Sequence, residues 1–81
     1  MNAKEAVARR IERLCQQQRM TINEVAMRAG MPASTVYSTL NSKSLNPGVM
    51  TIQLICEGFG ITVRAFFDDP LFDNLELPED K

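Results

Sequence analysis

The chain has no histidine, no tryptophan, one tyrosine and only two cysteines. Without histidine it lacks the side chain that most often binds metals and shuttles protons near neutral pH. Cys15 and Cys56 are too few and too far apart for a zinc site or a disulfide framework. Each lies among apolar residues of a helical pattern, where a free thiol packs as a small hydrophobe. There is no phosphate-cradling glycine loop and no nucleophile elbow. The usual enzyme machinery is therefore missing, and Glu12 and Glu57 read as exposed helix residues. No metal, cofactor or small-molecule ligand is expected. The longest apolar runs fall far short of the ~20 residues a membrane helix needs. The N-terminus also lacks the apolar region of a signal peptide. These features lead to the expectation of a protein of the reducing cytoplasm with no membrane partner.

What is present fits one small domain of 81 residues, with an ordinary 44% of hydrophobic residues. A net charge of −1 hides an asymmetry. Residues 1–67 carry eight Lys or Arg and four acids, whereas residues 68–81 carry six acids and Lys81. A mildly basic body thus precedes an acidic tail. Three of the four phenylalanines, Phe66, Phe67 and Phe72, sit at the junction.

The periodicity predicts five short helices and no convincing strand, an all-α bundle. Ala3 to about Gln18 carries the stripe Val7, Ile11 and Leu14, with Arg9, Arg10 and Arg13 off it, where a solvated face is expected. A second helix is announced by Thr21 and Glu24 at capping-box spacing, flanked by Met20 and Val25 at staple spacing. It ends at Ala29, before Gly30. Pro32 suits the start of a third helix, from about Ala33 to Leu40. Val36, Thr39 and Leu40 point inward there, and Ser34, Tyr37, Ser38 and Asn41 point outward. Residues 41–48 form a polar loop. A fourth helix, Val49 to Phe59, carries Ile52, Ile55, Cys56 and Phe59 inward. Gly58 is expected to loosen it and Gly60 to end it. Thr62 caps a short fifth helix with Val63, Phe66 and Phe67 facing in, and Asp68-Asp69-Pro70 stops it. Leu71 to Lys81 shows no clear period.

The informative stretch is 21–41. Two helices meet across a tight turn at Gly30. Small Ala26 permits close approach, and Val25, Ala29, Met31 and Val36 can close a core between them. The outcome is a third helix with an exposed N-terminal half, of a size that fits the ~12 Å major groove of DNA.

These residues resemble the phage Cro and repressor helix-turn-helix family, the XRE type. The resemblance runs over residues 5–67 and includes the capped second helix, the Asn41–Pro47 loop and the Gly60-Ile61-Thr62 start of the fifth. The run Ser34-Thr35-Val36-Tyr37-Ser38, then Lys43-Ser44 and Asn46-Pro47, is similar to short Gram-positive regulators. It implies a five-helix lambda-repressor-like DNA-binding domain over 1–67, with a helix-turn-helix at 21–41, and an acidic tail, 68–81, able to join a dimer contact. It also implies a regulator of transcription, with repression the simplest mode, bound to double-stranded DNA as a homodimer. Ala33, Ser34, Tyr37 and Ser38 would meet base edges. Thr21, Thr35, Asn41 and Lys43 would hold phosphates. Apart from the resemblance, Phe66, Phe67, Leu71 and Phe72 are more apolar surface than a small body easily hides. Part of the dimer contact is therefore expected from the fifth helix and residues 70–77, with at least one of Phe66 and Phe67 capping the monomer core instead. Where many members place a phosphate-gripping glutamine, this chain has Ile22. The competing expectation is a helix-turn-helix that contacts protein, antitoxin-like, with weak or no DNA binding.

Overall fold

A computed structural model describes residues 1–41 and 47–77. Five α-helices follow in order: α1 Ala3–Gln18, α2 Ile22–Ala29, α3 Ala33–Leu40, α4 Val49–Phe59 and α5 Val63–Phe67, then a 3-10 turn at Pro70–Phe72. Among the described residues the sole β feature is an isolated parallel bridge between Asn2 and Glu76. No helix of the described residues is long and apolar enough to cross a membrane.

The helix starts have sequence causes. Thr21 accepts the Glu24 N–H at 3.1 Å, and the Glu24 carboxylate accepts the Thr21 N–H at 2.8 Å. Each partner satisfies an amide that the helix itself leaves open. Asn2 and Glu5 form a second such box at the start of α1, and Thr62 accepts the Ala65 N–H at the start of α5.

Three helix ends close alike. Gly30 and Gly60 take left-handed backbone angles, with φ of 72° and 73°, as does Arg19 with φ of 55°. The residue after each donates its N–H back across the last turn: Met20 to Cys15, Met31 to Ala26 and Ile61 to Cys56. Glycine takes this conformation without steric cost.

The core gathers Val7, Ile11 and Leu14 of α1, Val25 and Ala26 of α2, Val36 of α3, Ile52, Ile55, Cys56 and Phe59 of α4, and Phe66 of α5. Both thiols pack as expected. Burial pushes the Cys15 thiol up, with the charge of Glu12 adding. Burial also raises Cys56, with Arg10 opposing and Glu57 adding.

Three expectations are corrected. Arg10 does not lie on a solvated face; it is buried, because the end of α5 covers it and supplies acceptors. Gly58 does not loosen α4. It is buried and lets α4 approach α2 so closely that a Cβ there would lie 2.5 Å from the Val25 carbonyl oxygen. Phe67 does not face fully inward; it is 40% exposed, because Phe66 alone fills the core space beneath α5.

Candidate nucleic-acid interface

The α2–α3 pair is built around a small buried seam. Val25, Ala26 and Ala29 of α2 and Val36 and Thr39 of α3 are all buried. Thr39 satisfies its hydroxyl by donating to the Thr35 carbonyl at 3.1 Å, so a polar side chain sits inside at no loss of a hydrogen bond. With that side of α3 committed to the core, Ser34, Tyr37 and Ser38 are left exposed on the other. Tyr37 is 52% exposed. Ala33 is half-buried and packs against the core, so only part of its methyl is on offer.

The start of α3 has no side-chain cap and no acid in its first turn. Its opening amides therefore point out of the helix at the positive end of the dipole, where an anion is favoured. Thr35 is half-buried, and Asn41 is exposed at the C-cap of α3. Lys43 lies outside the described residues.

Thr21 stands at the N-cap of α2, and its oxygen already accepts from Glu24. A hydroxyl also has one proton to donate, so capping and a phosphate contact are compatible. Thr21→Ala is expected to lower stability by about 1 kcal/mol through the lost cap, while Thr21→Ser holds it. Urea unfolding of the two variants checks this.

Ile22 is half-buried and packs on the core. It shares a groove with Cys15, Met20, Thr21, Tyr37 and Leu40, between the end of α1, the start of α2 and α3. An apolar residue here closes the groove floor, whereas a glutamine would reach out.

One exposed cation was missed in the sequence. Arg19 sits in the left-handed C-cap of α1, two residues ahead of Thr21. Its position between a helix end and a capping box was the available signal.

The family profile of Cro/C1-type helix-turn-helix DNA-binding domains matches residues 10–68. The chain belongs to that family. The Cro/C1-type match spans α2 to α5 and most of α1, including every exposed residue of α3 described above. The structure is similar to that of prophage Lp1 protein 11, at 37% sequence identity and a TM-score of 0.79, over 93% of this chain and 100% of that one. It also resembles the wild-type restriction-modification controller protein C.Esp1396I, at 18% identity and a TM-score of 0.71, over 80% of this chain and 83% of that one. The second likeness is one of fold. No curated protein matches the chain. The Cro/C1-type, XRE assignment and the all-helical, five-helix architecture agree with what the residues of 21–41 imply.

Proposed function

We propose that this Cro/C1-type protein binds double-stranded DNA sequence-specifically as a homodimer and regulates transcription, with repression by occlusion its simplest mode. The observation that carries the reading is the presentation of α3. Its inner side is spent on Val36 and Thr39, and Ser34, Tyr37 and Ser38 are left outside on the element that this motif lays in the major groove. Ala33 and these three meet base edges. Thr21, Thr35, Asn41 and Lys43 hold phosphate, and Arg19 joins them by its place beside Thr21. The match to the Cro/C1-type helix-turn-helix DNA-binding family supports a regulatory role on DNA.

The dimer face lies in the segment after α4. Phe67, Leu71 and Phe72 remain candidates, being exposed or half-buried. Phe66, expected in the same contact, is 0% exposed and belongs to the monomer core. In this reading the unit that folds over DNA is 1–67, and 68–81 is the acidic segment that joins the dimer face.

Selection of bound duplexes from a random pool tests the reading. Enrichment of a two-fold repeat supports it. No enrichment at low salt overturns it in favour of a protein-contact module. On the selected duplex, Lys43→Ala should weaken binding to all sequences alike. The slope of log affinity against log salt should fall by ~0.9, the value of one phosphate contact. Ser34→Ala and Ser38→Ala should instead change the preferred base, by up to ~1–3 kcal/mol at the affected pair, and leave the slope alone. A reversed pattern would mean that another face reads the DNA.

A further inference from the structure

We propose that Arg10 is a positioning residue for the surface through which a second copy of this chain docks. The inference rests on the dimer proposed above and deepens it.

Arg10 reaches from α1 across the core and uses all three of its nitrogens. Nε donates to the Phe66 carbonyl at 2.7 Å, one terminal nitrogen to the Ala65 carbonyl at 2.9 Å and the other to Asp69 at 3.2 Å. The guanidinium carbon lies 6.0 Å from the centre of the Phe66 ring. The last carbonyls of any helix lack partners within it. α5 has five residues, too few to hold itself together in water. Arg10 is thus its C-terminal cap, supplied from another helix.

The hold extends past α5. Asp69 is 12% exposed, with Arg13 3.7 Å from its other oxygen. That oxygen accepts the Leu71 N–H at 2.8 Å and so starts the 3-10 turn. The α5 end and the turn carry Phe67 and Phe72, whose rings stand 4.9 Å apart at 65°. Arg10 therefore sets where both rings stand.

The surface so placed is complementary to itself. On α5, Arg64 and Phe67 are exposed, as is Asp68 at its end. A cation and an anion about one helical turn apart flank an apolar centre. A two-fold axis brings residue i of one copy against j of the other and j against i. Arg64 of each copy then faces Asp68 of its mate, with the Phe67 rings between. A buried ion pair returns little more than its desolvation costs, and apolar residues of like volume serve stability as well. The geometry that the pair imposes, more than its energy, is what this chain uses.

Asp69→Asn keeps an acceptor for Leu71 and removes the charge that Arg10 and Arg13 share. Arg10→Met removes the three donors and keeps the volume. Self-association is measured by sedimentation equilibrium, helical content by circular dichroism, and binding to a duplex cut to one half of the selected site. Both variants should self-associate about tenfold more weakly, the scale of one lost interface anchor. Half-site affinity should hold, and helical content should fall by no more than the five residues of α5. Both are read well below a thermal midpoint that the loss of one partner of a buried pair will lower. If Arg10→Met does not fold, Asp69→Asn decides alone. Self-association at the wild-type level in folded variants overturns the inference. So does a fall in self-association, half-site affinity and helical content together, which marks a purely structural role. A wild-type chain that stays monomeric, alone and on DNA, removes the dimer reading itself and the inference with it.

Discussion

Replacing Gly58 with valine is expected to leave little folded protein. Gly58 lies within α4 at the point where that helix crosses α2. A Cβ would stand 2.5 Å from the Val25 carbonyl oxygen, 3.1 Å from the Val25 Cγ1 and 3.3 Å from the Ala29 Cβ. The first of these is backbone in a hydrogen-bonded helix and cannot turn aside. Alanine at this site gains ~1 kcal/mol of helix propensity over glycine. Overpacking costs ~1–3 kcal/mol and sometimes more, so the clash wins even for alanine, and valine adds two further methyls. A domain of this size holds roughly 4–12 kcal/mol in all. Gly58→Ala should lower the urea midpoint at an unchanged slope, and Gly58→Val should lose cooperative unfolding by circular dichroism. Wild-type stability in both would mean that α2 and α4 can separate freely. The helix-turn-helix could then not depend on that crossing for its orientation.

Phe66→Ala should cost about 3–5 kcal/mol, the range for emptying a buried aromatic site. Phe66 is 0% exposed, and its ring centre lies 5.0 Å from that of Phe67 and 6.2 Å from that of Phe72. Its loss leaves a void under α5 and removes the ring on which the other two rest. For 60–100 residues, ~1 kcal/mol moves the midpoint by ~4–8 °C, so a fall of more than ~12 °C is expected in calorimetry. Phe67→Ala, on a side chain 40% exposed, should cost far less. Equal losses at the two sites would show that Phe66 does not hold the core under α5.

The helices were legible because their ends carry residue types that act locally. Thr21 with Glu24, Gly30, Thr62 and Gly60 each satisfy or close a helix end within a few positions, and all stand where those residues predict. Arg10 was not legible, because two of its three acceptors are backbone carbonyls. A carbonyl leaves no mark in residue type, and arginine among polar neighbours reads as solvated. Gly58 misled for a related reason. Within a helix glycine signals weakness, and only the position of α2 turns it into a crossing point. On the candidate interface, the outward set Ser34, Tyr37 and Ser38 followed from the inward set Val36, Thr39 and Leu40. The roles proposed for those residues on DNA rest on family resemblance, since a serine on an exposed helix carries no signature of what it will touch.

The reach of Arg10 also bears on the order in which the domain assembles. Its acceptors lie 55, 56 and 59 positions further along the chain. On a ribosome, the residues of α2, α3 and α4 are all made before the first of those acceptors exists. The guanidinium must stay in water through that interval, and the flank of α1 that it occupies cannot close. Contacts of such long sequence separation carry the largest loop-closure cost and reward the chain last. The helix-turn-helix is thus available to form first, and the places of Phe67 and Phe72 are set only after α5 and the turn that follows it have been made.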